Sequence, residues 1–262
     1  LRDLDTSLKE LGADYLDIWH LHSISTPAEL NDGMLEAQRV AKQQGKIRFA
    51  GVSMHFGMKE MIPHLAKLGQ TDVVLCSYNF SMPAAMEMEA TLEAAAKAGI
   101  GVIAMKVMAG GFARIQRGDR LYENSPQALT ERLKKPGAMP AALKWALRNP
   151  NVATAIVGVT DDEELEADFE AARSPYGEED RRLLAAQLDC IGPLYCRTCG
   201  SCSGSCRMGL PVSDILRVLS YADGYGQFPL ARQRFLELPA KVRMIRCAAC
   251  EGCTVRCPNG VE

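Results

Sequence analysis

Residues 45–55 read GKIRFAGVSMH. Gly45 closes the amphipathic stretch PAELNDGMLEAQRVAKQQGK (27–46), and glycine suits the left-handed residue that ends a helix. A short, almost wholly apolar run follows from Ile47 to Ser53, and then a second helical pattern, MKEMIPHLAKLG (58–69). The unit repeats on both sides. YLDIWHLH (15–22), VVLCSY (73–78), GVIAMKV (101–107) and ATAIVGV (153–159) are further apolar runs. The stretches AAMEMEATLEAAAKAG (84–99), AMPAALKWALRNP (138–150) and DDEELEADFEAA (161–172) fill the intervening helical places, with Gly69 and Gly99 at expected helix ends. Short apolar strands alternating with helices predict a parallel sheet covered by helices. That leaves a doubly wound sheet or a (β/α)8 barrel.

The composition is that of a globular α/β chain. Of 262 residues, 47% are hydrophobic and 24% charged, and the net charge is -2. So small a charge gives no global attraction to nucleic acid, and no apolar run of membrane-spanning length occurs.

The cysteines are crowded at one end. Eight of the ten form two runs with one spacing, C-x2-C-x2-C-x3-C: Cys196, Cys199, Cys202 and Cys206, then Cys247, Cys250, Cys253 and Cys257. A disulfide framework spreads its cysteines over the fold it staples. Three thiolates two residues apart can instead wrap a cubane, so the spacing predicts two [4Fe–4S] clusters. In the usual exchange of the fourth ligand, Cys257 joins the first three cysteines and Cys206 joins Cys247, Cys250 and Cys253; otherwise each run holds its own cluster. Zinc is the competitor, but a closed zinc site has no use for this third and fourth cysteine, twice over. Arg207 stands where proline usually follows the fourth cysteine, whereas Pro258 is in place in the second run. Cys190 fits neither run and reads as a buried thiol. Between the runs, PVSDILRVLSYADG (211–224) predicts a helix capped by Ser213, and a second helix is expected over 229–238. The tail resembles the α-helical type of two-cluster ferredoxin.

The strand ends carry a further resemblance. SLKELGADYLDIWHLHS (7–23) is similar to the fourth-strand segment of the aldo/keto reductases. GKIRFAGVSMH resembles their fifth strand, VVLCSYNF (73–80) the sixth, GVIAMKVMAGG (101–111) the seventh with its glycine loop, and ATAIVGVTDDEELEAD (153–168) the eighth. The resemblance implies a partial (β/α)8 TIM barrel, about strands four to eight, over 1–175. A connecting helix is expected over 176–190 and the small α-helical ferredoxin-like iron–sulfur domain over 191–262, as in a subgroup of the family. Counting back, strands one to three fall outside this chain, with the aspartate, tyrosine and lysine of the catalytic tetrad. A piece of this extent is expected to be inactive alone.

The resemblance also implies an NAD(P)-linked oxidoreductase acting on a small-molecule carbonyl or alcohol. The alternative is a non-catalytic barrel serving an electron-transfer or redox-sensing module. Leu16, Ile18, His20 and His22 alternate onto one strand face, which puts His22 at the barrel mouth, where a neutral imidazole can donate a hydrogen bond to a carbonyl. His55 stands at the mouth of the next strand, and His64 reads as a surface residue. For NAD(H) or NADP(H), Ser53 matches the family's carboxamide-holding serine; Tyr78 and Asn79 sit past the sixth strand, where an aromatic either stacks on the nicotinamide ring or packs in the core. Lys106, Gly110 and Gly111 lie in the glycine loop, and Gly158 and Thr160 precede the last helix, a natural anion site. Asp161, Asp162, Glu163 and Glu164 replace the basic residues that hold a 2'-phosphate, so NADP preference does not carry over. The clusters are read as structural, redox-sensing or connected to a redox partner protein, in a cytoplasmic setting with export left open.

Overall fold

The computed structural model describes residues 1–82, 85–108, 137–159, 161–191, 196, 201–224, 227–258 and 260–261. The chain divides into two units. The first comprises residues 1–80, 84–107 and 143–175; the second comprises 81–83, 108–142 and 176–262.

In the first unit, helix α1 (Arg2–Leu11) leads to strand β1 (Leu16–Leu21), α2 (Asp32–Gln43), β2 (Ile47–Met54), α3 (Met58–Leu68), β3 (Val73–Ser77), α4 (Ala85–Lys97) and β4 (Gly101–Met105). Helix α5 (Ala138–Leu147), β5 (Thr154–Ala155) and α6 (Asp162–Arg173) complete the series. The strands form one parallel sheet in the order β1-β2-β3-β4-β5. A doubly wound sheet reverses its order at a switch point, whereas a barrel adds each strand beside the last. The observed order is that of a barrel arc. β5 is shorter than the run ATAIVGV suggested, with ladder partners only on β4 among the described residues.

Local signals set the helix ends. Asn31 caps α2 by accepting from the Met34 amide at 3.1 Å. Glu29 accepts from the Thr26 amide at 3.4 Å, closing a capping box with Thr26, and from the Ser25 amide at 2.7 Å. At the start of α3, Gly57 has φ 74°, and a Cβ there would collide with the Ser25 carbonyl, so only glycine fits.

One sheet face meets the helices. Val52, Met54, Val74 and Val102 are buried there, as are Met61, Ile62 and Leu65 of α3 and Leu92 of α4. Each such side chain contributes about 1.5–3 kcal/mol relative to exposure. Leu4 and Leu8 of α1 join Ala41 and Ile47 in a separate cluster against Leu16 and Trp19. The opposite face is less covered, and Phe49 is 40% exposed on it.

A buried amide ties the layers together. Gln38 of α2 donates from Nε2 to the Trp19 carbonyl at 2.9 Å and to the Gly51 carbonyl at 2.8 Å. One helix side chain thereby bridges β1 and β2. No sequence pattern announces it: Gln38 falls in an amphipathic helix as an ordinary polar residue.

In the second unit, α7 (Glu178–Ile191) includes Cys190. Helix α8 (Val212–Leu219) runs into a π-turn over Ser220–Gly224, and α9 (Phe228–Glu237) and α10 (Ala240–Arg243) follow. α8 is capped at Pro211 rather than Ser213, which lies inside the helix. Proline's fixed φ sets the start two residues earlier than the serine signal suggested. No helix among the described residues is long and apolar enough to cross a membrane.

Replacing Gln38 with leucine leaves two strand carbonyls without their side-chain donor. The expected cost is about 2–4 kcal/mol, the sum of two desolvated acceptors less the apolar gain. Urea denaturation should show it as a lowered midpoint at unchanged slope.

Candidate functional site

β1 and β2 run in parallel register, with His20 beside Gly51 and Leu21 beside Val52. His22 therefore emerges one residue past β1, level with Ser53 near the end of β2. The side chains meet: His22 Nδ1 lies 3.0 Å from Ser53 Oγ. The Ser23 amide also donates to Ser53 Oγ at 3.1 Å, from a residue held at φ 60°. Ser53 is buried while His22 is exposed. The serine hydroxyl accepts from Ser23, and its own proton has Nδ1 as its acceptor among the described residues. In that arrangement the neutral imidazole carries its proton on Nε2.

His20 lies one layer below. Its ring sits over Gly51, where any Cβ would overlap Nδ1. That nitrogen is buried without a hydrogen-bond partner among the described residues. Burial lowers the His20 pKa, the Val52 backbone opposes the shift, and His22 adds to it.

His55 closes the group. Its ring stands edge-on to His22, with centroids 6.5 Å apart. Burial depresses its pKa, and the Lys106 ammonium and His22 depress it further. Lys106 follows β4 at φ 56°, exposed. Its charge is thus felt beside the two histidines, a proximity the sequence reading did not anticipate.

Tyr78 departs from its expected role. Its ring is fully buried and tilted on Trp145, with centroids 4.7 Å apart. Asn149 donates to its hydroxyl at 3.2 Å and Arg148 at 3.4 Å, while the hydroxyl donates to Glu89 at 3.3 Å. Burial raises its pKa, with the bonds from Asn149 and Arg148 opposing. No face of this ring is open to a nicotinamide, so Tyr78 is a core residue. Asn79 is also buried. Cys76, fully buried behind β3, has its thiol pushed up to about 12 by desolvation and is chemically quiet.

Gly110, Gly111 and Thr160 lie outside the described residues. Gly158 is exposed, with no atom within 4 Å of where a Cβ would stand. The acidic run has a local explanation: Asp161 caps α6 by accepting from the Glu164 amide at 2.9 Å, and Asp162, Glu163 and Glu164 complement the helix dipole.

Of the eight clustered cysteines, Cys199 lies outside the described residues. Cys196, Cys202, Cys206, Cys247, Cys250, Cys253 and Cys257 are free thiols, half-buried or exposed. Thr254 Oγ1 donates to the Ser205 carbonyl at 2.7 Å, across 49 residues. That bond joins the two runs at positions adjacent to Cys253 and Cys206. Among the described residues, no three His, Cys, Asp or Glu side chains stand close enough to share one metal ion.

Residues 1–187 match the model of the aldo/keto reductase family. This chain belongs to that family. L-galactose dehydrogenase of Arabidopsis thaliana is 25% identical over 183 residues, covering 65% of this chain and 56% of that protein. The aldo-keto reductase AKR11C1 from Bacillus halodurans, in its holo form, superposes with a TM-score of 0.51 at 24% identity. The match covers 71% of this chain and 65% of that one, and the apo form gives the same TM-score. The chain thus spans less than two thirds of the length of these aldo/keto reductase relatives. Their likeness in structure establishes the barrel-type fold; the histidine–serine geometry is this chain's own.

Because a cation and a desolvated site both disfavour protonation, His55 should titrate below an unperturbed histidine in NMR pH titration. Lys106→Met should move its midpoint upward. Between the native and unfolded midpoints the unfolded chain binds the extra proton, so this group's contribution to stability rises with pH there. A midpoint unmoved by Lys106→Met would show that burial alone sets the shift.

Proposed function

We propose that this chain is the C-terminal-strand portion of an NAD(P)-linked aldo/keto oxidoreductase that also carries two [4Fe–4S] clusters. The observation that carries the first half is the His22–Ser53 contact at the strand ends. His22, with its proton on Nε2, donates a hydrogen bond to the substrate carbonyl and stabilises the charge growing on that oxygen. Ser53 holds the imidazole in this tautomer, and Ser23 holds Ser53. His55 and Lys106 line the same mouth, with Asn79 buried at the end of β3. When bound, the nicotinamide supplies the hydride that reduces the carbonyl carbon. Gly158 stands exposed before α6; Thr160, Gly110 and Gly111 are assigned to the pyrophosphate on the sequence alone.

This reading is tested on the whole gene product. His22→Leu removes the carbonyl's donor and should lower kcat by about 10²-fold with little change in cofactor affinity. NADH is expected to bind at least as well as NADPH. Up to four carboxylates meet a 2'-phosphate at α6, and their repulsion exceeds the about 0.3–1 kcal/mol offered by the helix N-terminus. Titration of both cofactors at low salt decides it, and a clear NADPH preference would mean that another basic residue controls the site.

The second half rests on the cysteine spacing; the Thr254–Ser205 bond, which joins residues next in sequence to Cys253 and Cys206, supports it. Free thiols in repeated C-x2-C-x2-C-x3-C loops are the donor set of iron–sulfur sites, and ligand closure is coupled to metal binding. Cys247, Cys250, Cys253 and Cys206 would hold one cluster, and Cys196, Cys199, Cys202 and Cys257 the other. Such clusters supply one-electron chemistry. Anaerobic reconstitution should give about eight irons per chain. Cys206→Ser should cost the second run its cluster if ligands cross over. About four irons in the unaltered chain would mean one run does not assemble, and stoichiometric zinc without iron would refute the reading.

A further inference from the structure

The cysteine-bearing segment differs electrically from the rest of the chain. Residues 196–262 hold nine arginines and lysines against five acids, a net +4, while residues 1–195 carry −6. Eight of those nine cations are arginine. Four stand next to a cysteine: Arg197, Arg207, Arg246 and Arg256.

The placement of these arginines is specific. Arg246 Nη1 donates to the carbonyls of Arg243 at 3.0 Å and Ile245 at 3.4 Å. Arg256 Nη1 donates to those of Cys253 at 3.0 Å and Val255 at 2.8 Å. These bonds lay each guanidinium against the backbone of a cysteine loop without cancelling its charge. Arg207 and Arg256 each lie two residues beyond the Ser205–Thr254 hydrogen bond, so both flank the junction of the runs. None of Arg207, Arg246 and Arg256 has a carboxylate partner among the described residues; the ion pair within the segment is Arg234–Glu237. Exposed methionines sit among them: Met208, directly after Arg207, is 47% exposed, and Met244, between Arg243 and Arg246, is 71% exposed.

Solvated surfaces normally mix both charge signs and keep large apolar side chains few. Arginine with methionine is the composition of interface cores. Guanidinium groups are weakly hydrated and match carboxylates in bidentate geometry, so an arginine surface favours an acidic partner. We propose that the exposed side chains at the junction of the two runs, Arg207, Met208 and Arg256, dock an acidic one-electron carrier protein, with Arg246 and Met244 adding to the positive and apolar character of the same segment. The carrier's redox role rests on the iron–sulfur reading above; the docking itself needs only these side chains. One electron passes from the reduced carrier to an oxidised cluster, the carrier is oxidised by one equivalent, and no bond or proton moves.

The test uses the anaerobically reconstituted chain, titrated by calorimetry with an acidic flavodoxin and, separately, with the basic carrier cytochrome c. Flavodoxin is expected to bind at about 20 mM salt and to weaken at least about tenfold at about 500 mM, where screening shortens to a few ångström. The Arg207→Gln/Arg256→Gln double variant should weaken binding at least about tenfold, and Arg246→Gln, outside the junction, about threefold. Met244→Ala should weaken it by a smaller factor that salt does not change. No binding, salt-insensitive binding or full binding by both arginine variants would overturn the proposal. So would equal binding of cytochrome c, or tighter binding to phosphatidylglycerol vesicles, to single-stranded DNA or to a second copy of this chain. Iron content keeps the two readings apart. Flavodoxin binding by an iron-free chain leaves docking standing and removes the clusters, while eight irons without binding removes docking alone.

Discussion

The bifurcated bond from Gln38 to the carbonyls of Trp19 and Gly51 holds the first unit's working end together. β1 carries His20 and leads to His22; β2 carries Gly51 and Ser53. Sliding one strand by a residue would turn His22 away from Ser53, because successive side chains point to opposite faces. The parallel ladder resists such a slip, and the Gln38 amide resists it again from the helix layer. Gly51 serves the same end from the other side, since only a residue without Cβ leaves room for the His20 ring. The 3.0 Å contact at the mouth is therefore set from below, by a helix amide and a missing methyl group.

The electrostatics of the mouth follow from that geometry. His22, His55 and Lys106 are brought together from three different strand ends, and burial, with Lys106 and His22 beside it, disfavours a proton on His55. A neutral imidazole at His22 is the form that can donate a hydrogen bond to a carbonyl and keep Nδ1 as an acceptor for Ser53. His22 is exposed and Ser53 is buried, so of the pair only the imidazole faces solvent.

The second unit is organised on another principle. Among its described residues Leu184 and Gln187 of α7, Ser220, Ala231 of α9 and Val242 of α10 are buried. The Thr254–Ser205 bond already draws the two loops together.

Much of this was legible in the residues alone. The alternation of apolar runs with amphipathic stretches determined a helix-covered parallel sheet, because periods of two and of three to four are local properties. Gly45 and Gly69 marked helix ends for an equally local reason, their left-handed backbone. The two cysteine runs and their spacing are likewise written in sequence. Ser213 misled, because an adjoining proline starts a helix as effectively as a capping hydroxyl. What the tertiary structure decided is which distant side chains meet. Tyr78 lies past a strand end, as a ring-stacking residue would, yet Trp145, Asn149 and Arg148, about seventy residues away, claim its ring and hydroxyl. Gln38 reads as any polar helix residue until two strand carbonyls are found under it. Lys106 read only as part of the glycine loop until β4 set its charge beside His55. These outcomes depend on strand register and on which helix crosses which strand, and register is fixed by contacts between segments rather than by the order of residues within one.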